Sequence, residues 1–188
     1  MEFEPKTIRL KDGREALLRC PEEEDVPGML EYLSVTAAET DFLMRYPEEC
    51  GRYTPDGERA LFERMKTSPD DLMLACLVEG KVAGSCQLMM NSRLKTRHRA
   101  SVAIAQRKEF WNLGIGSAMF EEMIRIAKER PCLRQLELEF IEGNSRARAL
   151  YEKFGFRIAG VHPDAIRLKD GTMLAEYLMI KSLERDET

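Results

Sequence analysis

No apolar run in this chain of 188 residues is long enough to cross a bilayer; stretches such as Leu72–Leu74 and Leu178–Ile180 are far too short. Histidine is nearly absent. His98 and His162 are the only two and stand in unrelated contexts, which excludes a histidine-rich metal site. The five cysteines (Cys20, Cys50, Cys76, Cys86, Cys132) are odd in number and contain no CxxC spacing, so neither a disulfide framework nor a zinc site is indicated. Excess positive charge is missing too. The formal net charge is −4, and no global basic field exists for nucleic acid or an anionic membrane. The single basic run, Arg93–Arg99 ("RLKTRHR"), has no aromatic residue interleaved to stack on bases and reads as a solvated turn. The first residues, "MEFEPKTIRL", begin acidic and lack the basic-then-apolar layout of a secretory signal, so the expected compartment is the cytoplasm.

What is present is an ordinary globular composition, 44% apolar and 33% charged, in a length that suits one domain with a real core over residues 1–188. "TIRLKDGREALLR" predicts two short strands turning at Lys11-Asp12-Gly13. In "PEEEDVPGMLEYL" acidic residues open a helix that Pro27 and Gly28 confine or break. Residues 38–56 have poor periodicity and several aromatics, the character of a loop that carries specificity. Thr54-Pro55 starts a second helix, with Leu61, Phe62 and Met65 on one face. "DLMLACLVEGKVAGSCQLMM" is a strand pair turning at Glu79-Gly80-Lys81, and "RASVAIAQ" a third strand with small Ser101, Ala103 and Ala105 on one face. Cys76 and Cys86 lie in these apolar strands as buried, inert thiols. After a glycine-headed helix and the strand "RQLELEF", Asn144 caps a short helix ended by Gly155. Two strands, near 157–161 and 173–180, close the chain. Consecutive strands before the central helix argue for an α+β sheet with helices packed on it.

The informative stretch is "QRKEFWNLGIGSAMF", residues 106–120. Glycine costs a helix up to about 1 kcal/mol against alanine. Two glycines in a first turn therefore imply a close approach to the backbone. Unpaired N–H groups and the positive dipole end make a helix N-terminus an anion site. Leu113-Gly114-Ile115-Gly116-Ser117 reads either as a phosphate cradle, with Ser117 Oγ as a further donor, or as tight packing of helix on sheet. A P-loop would need Gly-Lys-Ser/Thr, which does not occur here. A dinucleotide motif would need glycine where Met119 stands, and repeated strand–helix alternation where an antiparallel meander precedes.

"SVAIAQRKEFWNLGIGSAMFEEMIRIAKE" followed by "LELEFIEGNSRARALYEKFGFRIAG" resembles the GCN5-related N-acetyltransferases (GNAT), over about residues 101–160. The second motif stands here as Asn144, Ala147, Leu150, Tyr151, Lys153, Gly155 and Phe156. The family's loop usually begins with Gln or Arg where this chain has Trp111, which removes a polar side chain but not the backbone donors. Gln106 occupies a place usually filled by an apolar residue. The resemblance implies a GNAT-like, mixed and mostly antiparallel central sheet flanked by helices on both faces, with a cofactor-binding core at about residues 99–160. It implies acetyl-CoA as acyl donor, no metal, and an amine acceptor on a small molecule or peptide, by direct attack. The pyrophosphate would lie on the N–H groups from about Asn112 to Ser117 (Asn112, Leu113, Gly114, Ile115, Gly116 and Ser117), with Trp111 as a further cofactor-binding residue of the loop. The pantetheine arm would follow the strand edge at Ile104 and Gln106, with Asn144 on its other side. An N–H near Gln106 would meet the oxyanion, and Tyr151 would protonate the leaving thiolate. On spacing alone Tyr151 is a core tyrosine and Asn144 a helix cap. Glu39, Glu49, His98, Glu139 and Glu176 are candidate bases only in being titratable. A non-catalytic acyl-CoA or nucleotide-binding module is the alternative. No nucleic-acid or membrane partner is expected, and the oligomer is a monomer or homodimer.

Overall fold

A computed structural model of the chain describes residues 3–183. The strands are β1 (Lys6–Arg9), β2 (Glu15–Arg19), β3 (Leu72–Val78), β4 (Lys81–Met90), β5 (Arg99–Gln106), β6 (Gln135–Ile141), β7 (Arg157–Arg167) and β8 (Met173–Ser182). The helices are α1 (Val26–Glu39), α2 (Pro55–Thr67), α3 (Ile115–Glu129) and α4 (Ser145–Lys153). The strands follow the hydrogen-bonded order β1-β2-β3-β4-β5-β6-β8-β7. β5 runs parallel to β6, whereas β1–β2, β2–β3, β3–β4, β6–β8 and β7–β8 are antiparallel. The sheet is thus mixed and mostly antiparallel in an α+β fold, as the sequence implies. Among the described residues the chain divides into two compact units, 3–89 with 103–121 and 90–102 with 122–183.

The first unit is built on the β1–β4 meander. Every residue of β3 is buried, which accounts for its unbroken apolar run rather than an alternating one. Val26, Met29 and Tyr32 of α1, Phe62 and Met65 of α2, and Met73, Ala75, Leu77 and Val82 of the strands form one cluster. Each fully buried side chain of this size contributes about 1.5–3 kcal/mol. The sequence suggests that Pro27 and Gly28 confine or break α1; they do not break it, and the helix runs from Val26 through both. Pro27 falls in its first turn, where the missing N–H has no partner to lose. α2 begins as expected, with the Thr54 hydroxyl accepting from the Gly57 N–H at 3.1 Å. Gly84 on β4 is required by crowding: a Cβ there would stand 3.1 Å from both the Ala105 carbonyl and Met119 Cε.

The second unit holds the remaining strands. Leu136, Leu138 and Phe140 of β6 are buried and alternate with Gln135, Glu137 and Glu139, as a strand covered on one face requires. β7 extends to Arg167, six residues beyond the expected end at Val161, because register shifts after Ile158 and His162 let it keep pairing with β8. α4 docks through Tyr151, whose ring meets Phe140 edge-on with centroids 6.0 Å apart and lies 6.3 Å from Phe156. Arg93–Lys95 of the basic run lie outside any helix or strand, as its reading as a turn requires, while Arg99 opens β5. Cys76 and Cys86 are buried, and desolvation raises both thiols, Cys76 to about 12.

Candidate active site

In the first unit β5 ends against β4 and leads through a short 3-10 turn, Lys108–Phe110, into the glycine loop. The Arg107 N–H donates to the Ala83 carbonyl at 2.9 Å, and the Asn91 N–H donates to the Arg99 carbonyl at 3.3 Å. Both contacts place odd-numbered residues of β5 toward β4. Alternation along a strand then turns the N–H and C=O groups of Ile104 and Gln106 the other way. On that side the ladder with β6 is made at Arg99, Ala100 and Ser101 only. Ile104 and Gln106, singled out from the sequence, are therefore the residues of the β5 end whose peptide groups face an edge without a strand ladder.

The loop itself is held rigidly. The Gln106 side-chain amide donates to the Phe110 carbonyl, and the Trp111 indole N–H donates to the Gln106 carbonyl at 3.1 Å. Phe110 is buried beneath the Arg14 guanidinium, 5.5 Å from its ring centroid, and the Lys81 ammonium at 6.0 Å. The Lys11 N–H donates to the Leu113 carbonyl at 3.1 Å, tying the loop to the β1–β2 turn. Asn112 and Gly114 have φ of +65° and +101°. Alternation of left- and right-handed residues points successive N–H groups into one concavity, an arrangement that holds anions. The Ala118 N–H donates to the Gly114 carbonyl at 3.0 Å, so Gly114 caps the first turn of α3 at the positive end of the helix dipole. A Cβ on Gly114 would meet no atom within 4 Å, which leaves the concavity open. This backbone suits a phosphate.

Trp111 thus has a different task from the polar residue it replaces. Its indole secures the strand end to the loop, and the Lys108 ammonium lies 5.9 Å from its ring. The second unit carries Asn144 and Tyr151 on one helix, α4. The Asn144 side-chain oxygen accepts from the Ala147 N–H at 3.2 Å and caps α4. Tyr151 is 6% exposed, and burial pushes its hydroxyl up to about 12, so it stays protonated throughout the physiological range.

Two of the five candidate bases, Glu39 and Glu49, are engaged in hydrogen bonds. Glu39 accepts from the Lys108 N–H at 2.8 Å. Glu49 accepts from the Tyr46 N–H at 2.8 Å and the Arg52 guanidinium at 2.9 Å. The Glu139 carboxyl is raised by burial first and then by Glu176 and Glu137. No cluster of three potential metal ligands occurs among the described residues. Two features escaped the sequence. Arg107 is 1% exposed, with Nε donating to the Val82 carbonyl at 2.9 Å and Nη1 to Glu31 at 3.0 Å, while Nη2 is sealed and unbonded. Glu58 is 5% exposed on α2. A carboxylate four residues before Phe62 and seven before Met65 on an inward-facing helix stripe was the available signal for it.

The sequence matches the acetyltransferase (GNAT) family over residues 36–156, and the chain belongs to that family. It is an acetyltransferase with acetyl-CoA as its acyl donor. It is 27% identical over 119 residues to the L-amino acid N-acetyltransferase AaaT of Escherichia coli K12, covering 63% of this chain and 73% of that protein. The crystal structure of a GNAT-family acetyltransferase from Streptococcus pneumoniae superimposes with a TM-score of 0.82 at 28% identity, over 89% of this chain and 98% of that one. A phosphinothricin acetyltransferase from Sinorhizobium meliloti, solved in complex with acetyl-CoA, shares the fold with a TM-score of 0.76 at 18% identity, over 89% and 88% of the two chains.

Proposed function

We propose that residues 1–188 form a single acetyltransferase domain that moves an acetyl group from acetyl-CoA to the primary amine of a small molecule or peptide N-terminus by direct attack. A free amino acid is the favoured acceptor, because the E. coli relative is named for that activity. The observation that carries the reading is the loop heading α3, open at Gly114 and left-handed at Asn112 and Gly114, in a member of this family.

The bound donor supplies an activated thioester carbonyl. Asn112, Leu113, Gly114, Ile115, Gly116 and Ser117 hold the pyrophosphate through backbone N–H groups at the positive end of α3, while Trp111, whose own N–H is spent on the Lys108 carbonyl, secures the loop through its indole. Ile104 pairs with the amides of the pantetheine arm along the unladdered edge of β5, beside Gln106, whose carbonyl is held by the Trp111 indole and whose N–H faces the thioester end, and Asn144 contacts the arm while capping α4. The neutral amine attacks the carbonyl carbon, and the Gln106 N–H receives the negative charge developing on its oxygen. The carbon–sulfur bond breaks, the electron pair leaves on sulfur, and Tyr151 gives its proton to that thiolate. The surplus proton of the new amide passes to solvent. A tyrosine raised to about 12 keeps the proton this role needs at all working pH values, while its weak acidity limits the rate gain to the low end for acid–base steps. No helix of the described residues is long and apolar enough to cross a membrane, in keeping with a cytoplasmic enzyme.

Calorimetric titration with acetyl-CoA, alongside NADH, tests the loop. Micromolar acetyl-CoA affinity with no NADH response is expected, followed by CoA release that depends on added amine. Folded protein with no affinity for acetyl-CoA overturns the reading.

A further inference from the structure

We propose that Gly84 is a positioning residue: by leaving room for the Ala105 carbonyl it aims the Gln106 N–H at the thioester, and the Trp111 indole holds that aim from the far side of Gln106. The inference rests on the assignment of the Gln106 N–H to the developing oxyanion and adds to it what fixes the direction of that bond.

The Ala105 carbonyl and the Gln106 N–H belong to one peptide unit. That unit is planar and rigid, so displacing its oxygen turns its N–H. The oxygen lies on the β4 side of β5, and the N–H faces the opposite, unladdered side. A Cβ at Gly84 would stand 3.1 Å from that oxygen, 3.1 Å from Met119 Cε and 3.4 Å from Gln106 Cγ. Met119 Cε is the far end of a flexible side chain and can swing away. The carbonyl is backbone, and it yields by a few tenths of an ångström only if the whole unit tilts. Gly84 is not among the glycines with positive φ, so its own dihedrals make no demand for glycine. The demand comes from the neighbouring strand.

The peptide unit after Gln106 is braced as well. Its oxygen accepts from the Trp111 indole N–H at 3.1 Å, and its N–H, that of Arg107, donates to the Ala83 carbonyl at 2.9 Å. Arg107 Nε reaches the Val82 carbonyl at 2.9 Å. Three consecutive residues of β4, Val82 to Gly84, thus meet the end of β5. The course of β4 changes at this point. Gly84 pairs with Cys76 and Val82 with Leu77, which makes Ala83 an extra residue, a bulge in the β3–β4 ladder. The bulged residue is the one whose carbonyl receives the Arg107 N–H. With its side-chain amide also spent on the Phe110 carbonyl, Gln106 is anchored through its side chain and both flanking peptide units. An N–H fixed in this way meets developing charge without reorganising, which is what gives such a donor its effect.

The test compares wild type with Gly84→Ala and with Gly84→Ala combined with Met119→Leu. Each is assayed for kcat, KM for acetyl-CoA and calorimetric acetyl-CoA affinity, with a pool of L-amino acids, alkyl diamines and short peptides as acceptor. Infrared difference spectra of bound acetyl-CoA labelled with carbon-13 at the thioester carbonyl give the hydrogen bond directly, since a donor on the oxygen lowers its stretching frequency. Gly84→Ala should lower kcat by roughly 10- to 100-fold, as a misaimed oxyanion donor does. It should raise the carbonyl frequency and leave acetyl-CoA affinity unchanged. Met119→Leu withdraws the Cε contact at nearly constant volume and should not restore kcat. An unchanged kcat or an unmoved carbonyl band in folded Gly84→Ala overturns the proposal. So does a parallel loss of kcat and donor affinity, or recovery on adding Met119→Leu, because either makes Gly84 a matter of packing. If Gly84→Ala does not fold, Trp111→Phe decides: it removes the N–H from the Gln106 carbonyl and keeps an aromatic ring. The band should then move in the same direction, and an unmoved band overturns the proposal. Wild type that binds acetyl-CoA but acetylates no amine of the pool overturns the transferase reading and this one together. That failure is distinguishable because it precedes any comparison of variants.

Discussion

Gly114→Ala is a clean perturbation of the donor loop, because a Cβ at this position meets no atom within 4 Å and adds no clash. What it adds is backbone strain at a φ of +101°, which side-chain-bearing residues rarely adopt. Holding such a residue there costs about 1–3 kcal/mol. The cost divides between two measurements. If the unliganded loop keeps its conformation, the loss appears in stability, at about 2–4 °C of melting temperature per kcal/mol for a chain of this length. If the loop relaxes and must be rebuilt around the pyrophosphate, the loss appears as a roughly 5- to 150-fold weaker acetyl-CoA affinity. Thermal denaturation and calorimetry on one preparation should give losses whose sum falls in that interval. Gly114→Glu, which adds charge as well as strain, should abolish binding. An alanine variant unchanged in both measurements refutes the left-handed backbone, and a folded glutamate variant with wild-type affinity refutes the assignment of the loop to the donor.

Tyr151→Phe should lower kcat by about tens- to hundreds-fold, the low end for an acid–base step, because a thiolate leaves readily without help. Acetyl-CoA affinity should not change, and a wild-type kcat would remove Tyr151 from the chemistry. Arg107→Met keeps much of the volume and removes the unbonded Nη2, but it also removes the bonds to the Val82 carbonyl and Glu31, so denaturant unfolding should show a loss of about 1–3 kcal/mol. Arg107→Ala leaves a cavity and should cost about 2–5 kcal/mol; equal losses in the two variants would mean that the charge, not the packing, matters. Burial raises both Tyr32 and Tyr151 to about 12 from an ordinary value of 10.0. Their contribution to stability is complete below pH 10, where both states are protonated. It falls between pH 10 and 12, as the unfolded state ionises first, by up to about 1.4 kcal/mol per pH unit for each tyrosine. Alkaline unfolding of Tyr32→Phe should be correspondingly less steep, and an identical slope would show that its raised value is not a source of the loss.

What could be read from the chain beforehand was whatever is written locally. Thr54 before Pro55, Asn144 before a short amphipathic helix, and glycines at the head of α3 announce themselves, because a cap or a left-handed residue is decided by its neighbours in sequence. Pro27 and Gly28 were harder to judge: proline is a breaker in mid-helix and harmless in the first turn, and only the position of the Asp25 cap settles which applies. The extension of β7 to Arg167 depends on β8, a partner that local pattern cannot reveal. Arg107 and Glu58 were invisible for a related reason. A charged residue is read as surface by default, and what buries these two is α1 with β4 in one case and the inward stripe of α2 in the other. Trp111 departs from the usual polar residue of the loop, and its use is evident only once its N–H is seen on the Gln106 carbonyl.

That indole belongs to the only tryptophan in the chain. Its N–H is bound to the strand end, an ammonium lies near its face, and it immediately precedes the backbone assigned to the pyrophosphate. The protein therefore carries its own single-site optical probe where the donor is expected to arrive. Intrinsic emission excited at the indole band reports from this loop alone, so stopped-flow fluorescence can time donor entry and CoA departure on unlabelled enzyme, separately from the chemistry at the amine.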